Sequence, residues 1–173
     1  MTQPVITLRQ PVLDELRNIA RQQCALVPPT PKTVLKQDYL RIHTIANFTM
    51  QAVADYYCVS NPLKVMRRDE FPDDIDVYGV QVRGTTYARG HLLTHKSDKP
   101  APYVLVTVQR VNYDLVRCTI RGWAWLHECN IAEHWRTIGP NGQPLPASCY
   151  MTPQTALHPI HTMPIPQLMK GQQ

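Results

Sequence analysis

The chain of 173 residues has no run of about 18 apolar residues, so no segment reads as a membrane-crossing helix. Its first residues, Met1 to Arg9, lack the charged start and long apolar stretch of a secretory signal. The expectation is therefore a soluble, cytoplasmic protein with no membrane partner. Cysteine is sparse and scattered: Cys24, Cys58, Cys118, Cys129 and Cys149 are odd in number and form no Cys-x-x-Cys pair, which excludes the common zinc and dithiol frameworks. Reduced, mostly buried thiols are the reading that remains. There is no Gly-rich phosphate loop and no Gly-x-Ser-x-Gly elbow, so the commonest nucleotide-binding and serine-hydrolase classes are excluded. No internal repeat is present.

Proline, by contrast, is abundant at 16 residues, and the formal net charge is +5 with a pI near 9.0. Such a balance suits DNA or another polyanion, because phosphate contacts draw on Lys and Arg, although charge alone does not single out that partner. The length suits one domain of ordinary size.

The segment "PVLDELRNIARQQCALV" spaces Val12, Leu13, Leu16, Ile19 and Ala20 as a helix does, with Pro11 at a first-turn position. "PPTPKT" cannot continue that helix and reads as an extended connector. A second helix is expected in "QDYLRIHTIANFTMQAVADYYCV", with Asp38 as its cap. From Asp76 the period changes to two, giving strands in "DVYGVQVRGTTY", "GHLLTH", "YVLVTVQRV" and "LVRCTIRGW". "AWLHECNIAEHW" reads as a helix packed on the sheet by Trp123, Trp125 and Trp135, and the proline-rich remainder reads as loop and short turns.

The expected organisation is an N-terminal helix and connector over 1–33, a core over 34–138 and a proline-rich extension over 139–173. The fold class is α+β: a central, mostly antiparallel or mixed β-sheet, preceded by N-terminal helices and flanked by a C-terminal helix.

Metal-dependent phosphodiester hydrolysis needs carboxylates to hold the ion and a cation to stabilise developing charge. On a strand, residues i and i+2 share a face and address one phosphate together. Asp76 followed by Gln81-Val82-Arg83 has that layout. Asp73 and Asp74 supply further carboxylates or form a solvated turn after Pro72, and Lys64 or Lys96 offers a replacement amine. Asp76 itself reads equally as a site residue or a strand cap.

With its preceding helix, "GVQVRGTTYARGHLLTHKSDKPAPYVLVT" and "IRGW", the stretch from about Ile45 to Trp123 resembles phage and bacterial proteins related to the PD-(D/E)xK, restriction-endonuclease-like nuclease superfamily. The resemblance implies a restriction-endonuclease-like core, DNA as partner and Mg²⁺ or Mn²⁺ as cofactor. It implies Asp76, Gln81 and Arg83 as catalytic positions, with Asp76 and Gln81 as metal ligands, and Asp74 from the preceding loop completes the candidate metal set. The motif departs from the family pattern at both key places. Gln81 stands where a second carboxylate belongs, and Arg83, permanently charged, stands where a lysine belongs. Met50 falls near the place of the helix glutamate. Two outcomes stay open: a metal-dependent DNA nuclease, or a DNA-binding module that has lost the chemistry.

A third reading is a phage accessory or structural protein bound to a host or virion protein, and a homodimer is compatible with any of them. Arg89, His91, His95 and Lys96, with Lys99, gather in "ARGHLLTHKSDK" and read either as contacts to a DNA backbone or as a solvated hairpin. His127 and His134 flank "ECNIAE" at a spacing wrong for two metal ligands one helical turn apart.

Overall fold

Leu13, Leu16 and Ala20, three and four residues apart, are the buried face of helix α1 (Val12–Leu26). The Pro11 carbonyl accepts the backbone N–H groups of Asp14 and Glu15, so Pro11 closes the helix start from just outside it. Helix α2 (Lys36–Tyr56) already runs two residues ahead of Asp38, the cap expected from sequence. It buries a broad face through Asn47, Phe48, Thr49, Ala52, Val53 and Ala54. Asn47 ties the two helices by donating Nδ2 to the Leu16 carbonyl at 3.2 Å and to Gln23 Oε1 at 3.1 Å. These elements belong to a computed structural model that describes residues 2–26, 36–59, 77, 79–139 and 142–164.

Strands β1 (Val5–Arg9), β2 (Gln81–Thr85), β4 (Pro102–Arg110) and β5 (Leu115–Trp125) form one sheet in the order β1-β5-β4-β2. Its pairs are antiparallel except β2 with β4, which run parallel. A second, antiparallel sheet has the order β3-β7-β6, from β3 (Leu92–Thr94), β7 (Pro144–Thr152) and β6 (Trp135–Ile138). The protein is thus an α+β fold with few helices and a mixed main sheet.

Both helices pack on one face of the main sheet, where Leu8, Val82, Val104, Val106, Val108, Val116, Cys118 and Ile120 are buried. β2 lies close under α2. A Cβ at Gly84 would sit 2.8 Å from Ile45 Cγ2 and 2.9 Å from Thr49 Cγ2, so only glycine allows this approach. On the opposite face, Tyr103, Leu105 and Ala124 form a smaller core with Leu92, Ala101 and Cys129. The second sheet therefore covers one half of that face through β3.

Four elements differ from the sequence expectation. β1 falls in a stretch expected to be helix and connector, and β6 and β7 fall in one expected to be the end of a helix and then loop. In β7, Pro144 and Pro146 lie outside the Tyr150–Thr152 stretch that pairs with β3, and the β6 register slips between Arg136 and Ile138 beside them. Their missing N–H groups therefore interrupt no three-stranded ladder. The expected C-terminal helix over 124–135 shrinks to α3 (Leu126–Cys129) and a single 3₁₀ turn, Ala132–His134. Asn130 ends α3 at φ −86°, ψ 44°, outside the helical region, and Trp123 and Trp125 belong to β5. Among the described residues no helix is long and apolar enough to cross a membrane.

Candidate functional site

Strand β2 sets Gln81, Arg83 and Thr85 on the face turned away from the helices, because Val82 and Gly84 point into them. Parallel pairing places Tyr103 beside Gln81 and Leu105 beside Arg83. The Arg83 guanidinium is gripped from several sides. Nη1 donates to Gln81 Oε1 at 3.1 Å, Nη2 stands 3.6 Å from Asp98 Oδ2, and its carbon lies 5.1 Å from the centre of the Tyr103 ring. The Arg83 side chain remains one-third exposed, so the ion pair is partly screened by solvent while the geometry stays fixed.

Asp98 connects this residue to the loop after β3. Its Oδ2 also accepts the His95 backbone N–H at 3.0 Å, and the Asp98 N–H returns to the His95 carbonyl at 3.1 Å. The turn is thus held at both ends while it reaches Arg83. Tyr103 is anchored in turn by its hydroxyl, which donates to the Lys99 carbonyl at 3.1 Å.

Gln81 is only 4% exposed. Arginine carries donors alone, so the amide oxygen must face Arg83, and this fixes the orientation of the amide. Its nitrogen is left buried with no acceptor. The oxygen that would serve as a metal ligand therefore lies against a permanent positive charge. In this arrangement the described residues around Gln81 do not fit a divalent cation, and among the described residues no group of three or more His, Cys, Asp or Glu side chains is placed to hold one. Asp73, Asp74, Asp76 and Lys64, the other sequence candidates, lie outside the described residues.

The remaining candidates divide. His91 and His95 flank the three-residue strand β3, one just before it and one just after it. His95 Nδ1 lies 3.4 Å from the Ser148 carbonyl of β7, and Lys96 Nζ stands 4.8 Å over the Trp135 ring, so both turn toward the second sheet. Arg89 is exposed in the turn between β2 and β3, which Gln154 braces by donating Nε2 to the Ala88 and Gly90 carbonyls. Met50 is half-buried against the helix-side core. His134 Nδ1 lies 3.1 Å from the Cys129 carbonyl and 3.2 Å from Thr152 Oγ1, a structural contact between α3 and β7. Sequence reasoning missed Asp98 and Tyr103 as partners of Arg83.

A separate hydrogen-bonded pair fastens the C-terminal segment. His158 Nε2 donates to Glu128 Oε1 at 2.9 Å, and Glu128 Oε2 accepts the Trp125 backbone N–H at 2.7 Å. Burial pushes the Glu128 carboxyl up, but the hydrogen bonds from His158 and the Trp125 N–H, with the charges of His158 and His127, outweigh it and hold the group below its usual range. Backbone hydrogen bonds between Trp123 and His158 run in both directions beside this pair, at 3.0 and 2.8 Å.

No protein-family model, curated protein or solved structure matches the chain.

Proposed function

We propose that the protein is a DNA-binding module on a restriction-endonuclease-like scaffold, in which Arg83 takes a backbone phosphate and metal-assisted hydrolysis has been lost. The observation that carries this reading is the Gln81–Arg83 pair, in which an amide oxygen and a guanidinium satisfy each other where a nuclease of the resembled kind would place a carboxylate and a lysine. An arginine held by Gln81, Asp98 and Tyr103 is pre-oriented, so less side-chain entropy is lost when an anion docks. Phosphate contacts of this kind set position and carry no base preference. Arg89 and His91, in the turn before β3, extend the contact, while His95 and Lys96, after β3, turn toward the second sheet.

The alternative, cleavage with Mg²⁺ or Mn²⁺ at Asp74, Asp76 and Gln81, is favoured by the carboxylates that directly precede the strand. Incubation of plasmid and single-stranded DNA with the protein and Mn²⁺, with Asp76→Ala as control, separates the two. The binding module predicts retention of DNA in EDTA and no cleavage beyond the control. Cleavage that disappears in Asp76→Ala overturns it.

A further inference from the structure

The four strands of the main sheet contain five arginines, Arg9, Arg83, Arg110, Arg117 and Arg121, and neither an acidic residue nor a lysine. Arg110 follows Val108 on the helix side and reaches the Tyr113 ring at the sheet's end. The other four share the opposite face. Arg117 stands between Thr7 of β1 and Gln109 of β4, and Arg9 is opposite Leu115. Arg121 is the extra residue of the bulge facing Leu105 and Val106. Its Nε donates to Thr107 Oγ1 at 2.8 Å and its Nη1 to Gln3 Oε1 at 2.6 Å, which lays the guanidinium on this face.

The half of the face that carries Tyr103, Leu105 and Ala124 is covered by the second sheet. The other half is open, with Thr7, Arg9, Gln109 and Arg117 exposed. From strands about 4.8 Å apart and a rise of about 3.3 Å per residue, Arg83, Arg121, Arg117 and Arg9 follow a stepped diagonal in intervals of roughly 10 Å, with half-buried Arg83 and Arg121 at the border of the covered half and exposed Arg117 and Arg9 on the open one.

We propose that this diagonal is a track for the backbone of single-stranded DNA, a proposal that rests on the DNA-binding reading above and names the form of DNA. A single row of cations serves a single backbone. A duplex presents two backbones across grooves of about 6 and 12 Å, and among the described residues the open face has no second row to meet the other one. Threonine hydroxyls and the Gln109 amide flank the row and supply neutral donors for phosphate and sugar oxygens. These strands carry no carboxylate, although Asp98, from the loop after β3, stands 3.6 Å from Arg83 and offsets part of its charge.

The test compares binding of a fluorescent single-stranded 20-mer, the same sequence as a duplex, and the same sequence as RNA, by anisotropy in EDTA. The proteins are wild type, Arg117→Glu, Arg9→Glu and, as a charge-matched control on the helix layer, Arg21→Glu, each checked for folding by circular dichroism. Wild type is expected to prefer the single-stranded DNA. Arg117→Glu and Arg9→Glu are each expected to weaken it roughly tenfold, and Arg21→Glu by less than about twofold. Duplex preference, tighter binding of the RNA, or folded Arg117→Glu and Arg9→Glu proteins that bind like Arg21→Glu overturn the track while leaving a nucleic-acid function standing. No binding of any of the three polymers by wild type overturns both.

Discussion

Arg83 donates to the side-chain oxygen of Gln81, two residues earlier on the same strand, at 3.1 Å, and the Gln81 nitrogen is buried without an acceptor. One half of the amide is thus used and the other is a cost to the fold. An unsatisfied buried donor costs about 1–3 kcal/mol, and a typical hydrogen bond contributes about 1 kcal/mol. The residue is poorly justified by stability alone and well justified by what it does to Arg83.

Gln81→Met removes both the orphaned donor and the acceptor used by Arg83. The two effects oppose each other, so the unfolding free energy is expected to change by less than about 1 kcal/mol in urea denaturation. DNA affinity should fall in the same variant as Arg83 loses its orientation. A stability loss above about 3 kcal/mol would show that Gln81 is chiefly a core residue.

Gly84→Ala and Gly122→Ala test two close approaches. The first drives a methyl group against the side chains of Ile45 and the fully buried Thr49, which must give way, and an overpacking cost of about 1–3 kcal/mol is expected. The second places a Cβ 2.5 Å from the His158 backbone oxygen at a φ of +146°, where neither backbone nor contact yields easily. Thermal denaturation should rank Gly122→Ala as the more damaging, with its C-terminal segment the first to become protease-sensitive.

The Glu128 carboxyl is held below its ordinary value in the folded state. A group with a depressed folded pKa contributes stability that is present above the unfolded value, about 4.3, and is lost as pH falls through the folded one. Wild type should therefore lose stability in that acidic window relative to Glu128→Gln, whose curve lacks this component. Urea midpoints measured from pH 6 down to pH 2.5 check it, and parallel curves would count against the His158–Glu128 contact.

Thiol reactivity should sort by burial. Cys58 is exposed, Cys24 is half-buried, and Cys118, Cys129 and Cys149 are buried. Burial pushes the Cys118 thiol up to about 12 and raises Cys24, Cys129 and Cys149 as well. At pH 8 a disulfide reagent is expected to modify Cys58 first, and all five thiols only after denaturation. Rapid native labelling of Cys118 would contradict the packing of β5 against α2.

Much of this architecture was legible in the sequence because it follows a strong period. Leu13, Leu16 and Ala20 mark α1, and the alternation through Gln81-Val82-Arg83 and the long β-branched runs mark β2, β4 and β5. β1 is five residues long with only Leu8 fully buried, too short to carry a period. β7 was hidden by its prolines. The apparent helix over 124–135 rested on residues of good helical propensity, which tertiary pairing of Trp123 and Trp125 in β5 overrode. At the candidate site, Gln81 and Arg83 were visible as an i, i+2 pair. Asp98 and Tyr103 were not, because Tyr103 is brought there by β2 running parallel to β4 and Asp98 by the turn after β3, and no local pattern announces either approach. The arginine diagonal was hidden for the same reason, since its members come from three different strands.

The central claim, that Arg83 and the basic sheet face hold DNA by phosphate contacts without a catalytic metal, is tested most directly by a salt titration. Binding of single-stranded DNA is measured from 50 to 200 mM NaCl in EDTA, for wild type and Arg83→Gln. Four phosphate contacts predict a wild-type affinity that drops about 50-fold over that range, with the slope of log K against log salt shallower by about 0.7 in Arg83→Gln. Binding that requires Mg²⁺, or a salt slope identical in the two proteins, would contradict the account.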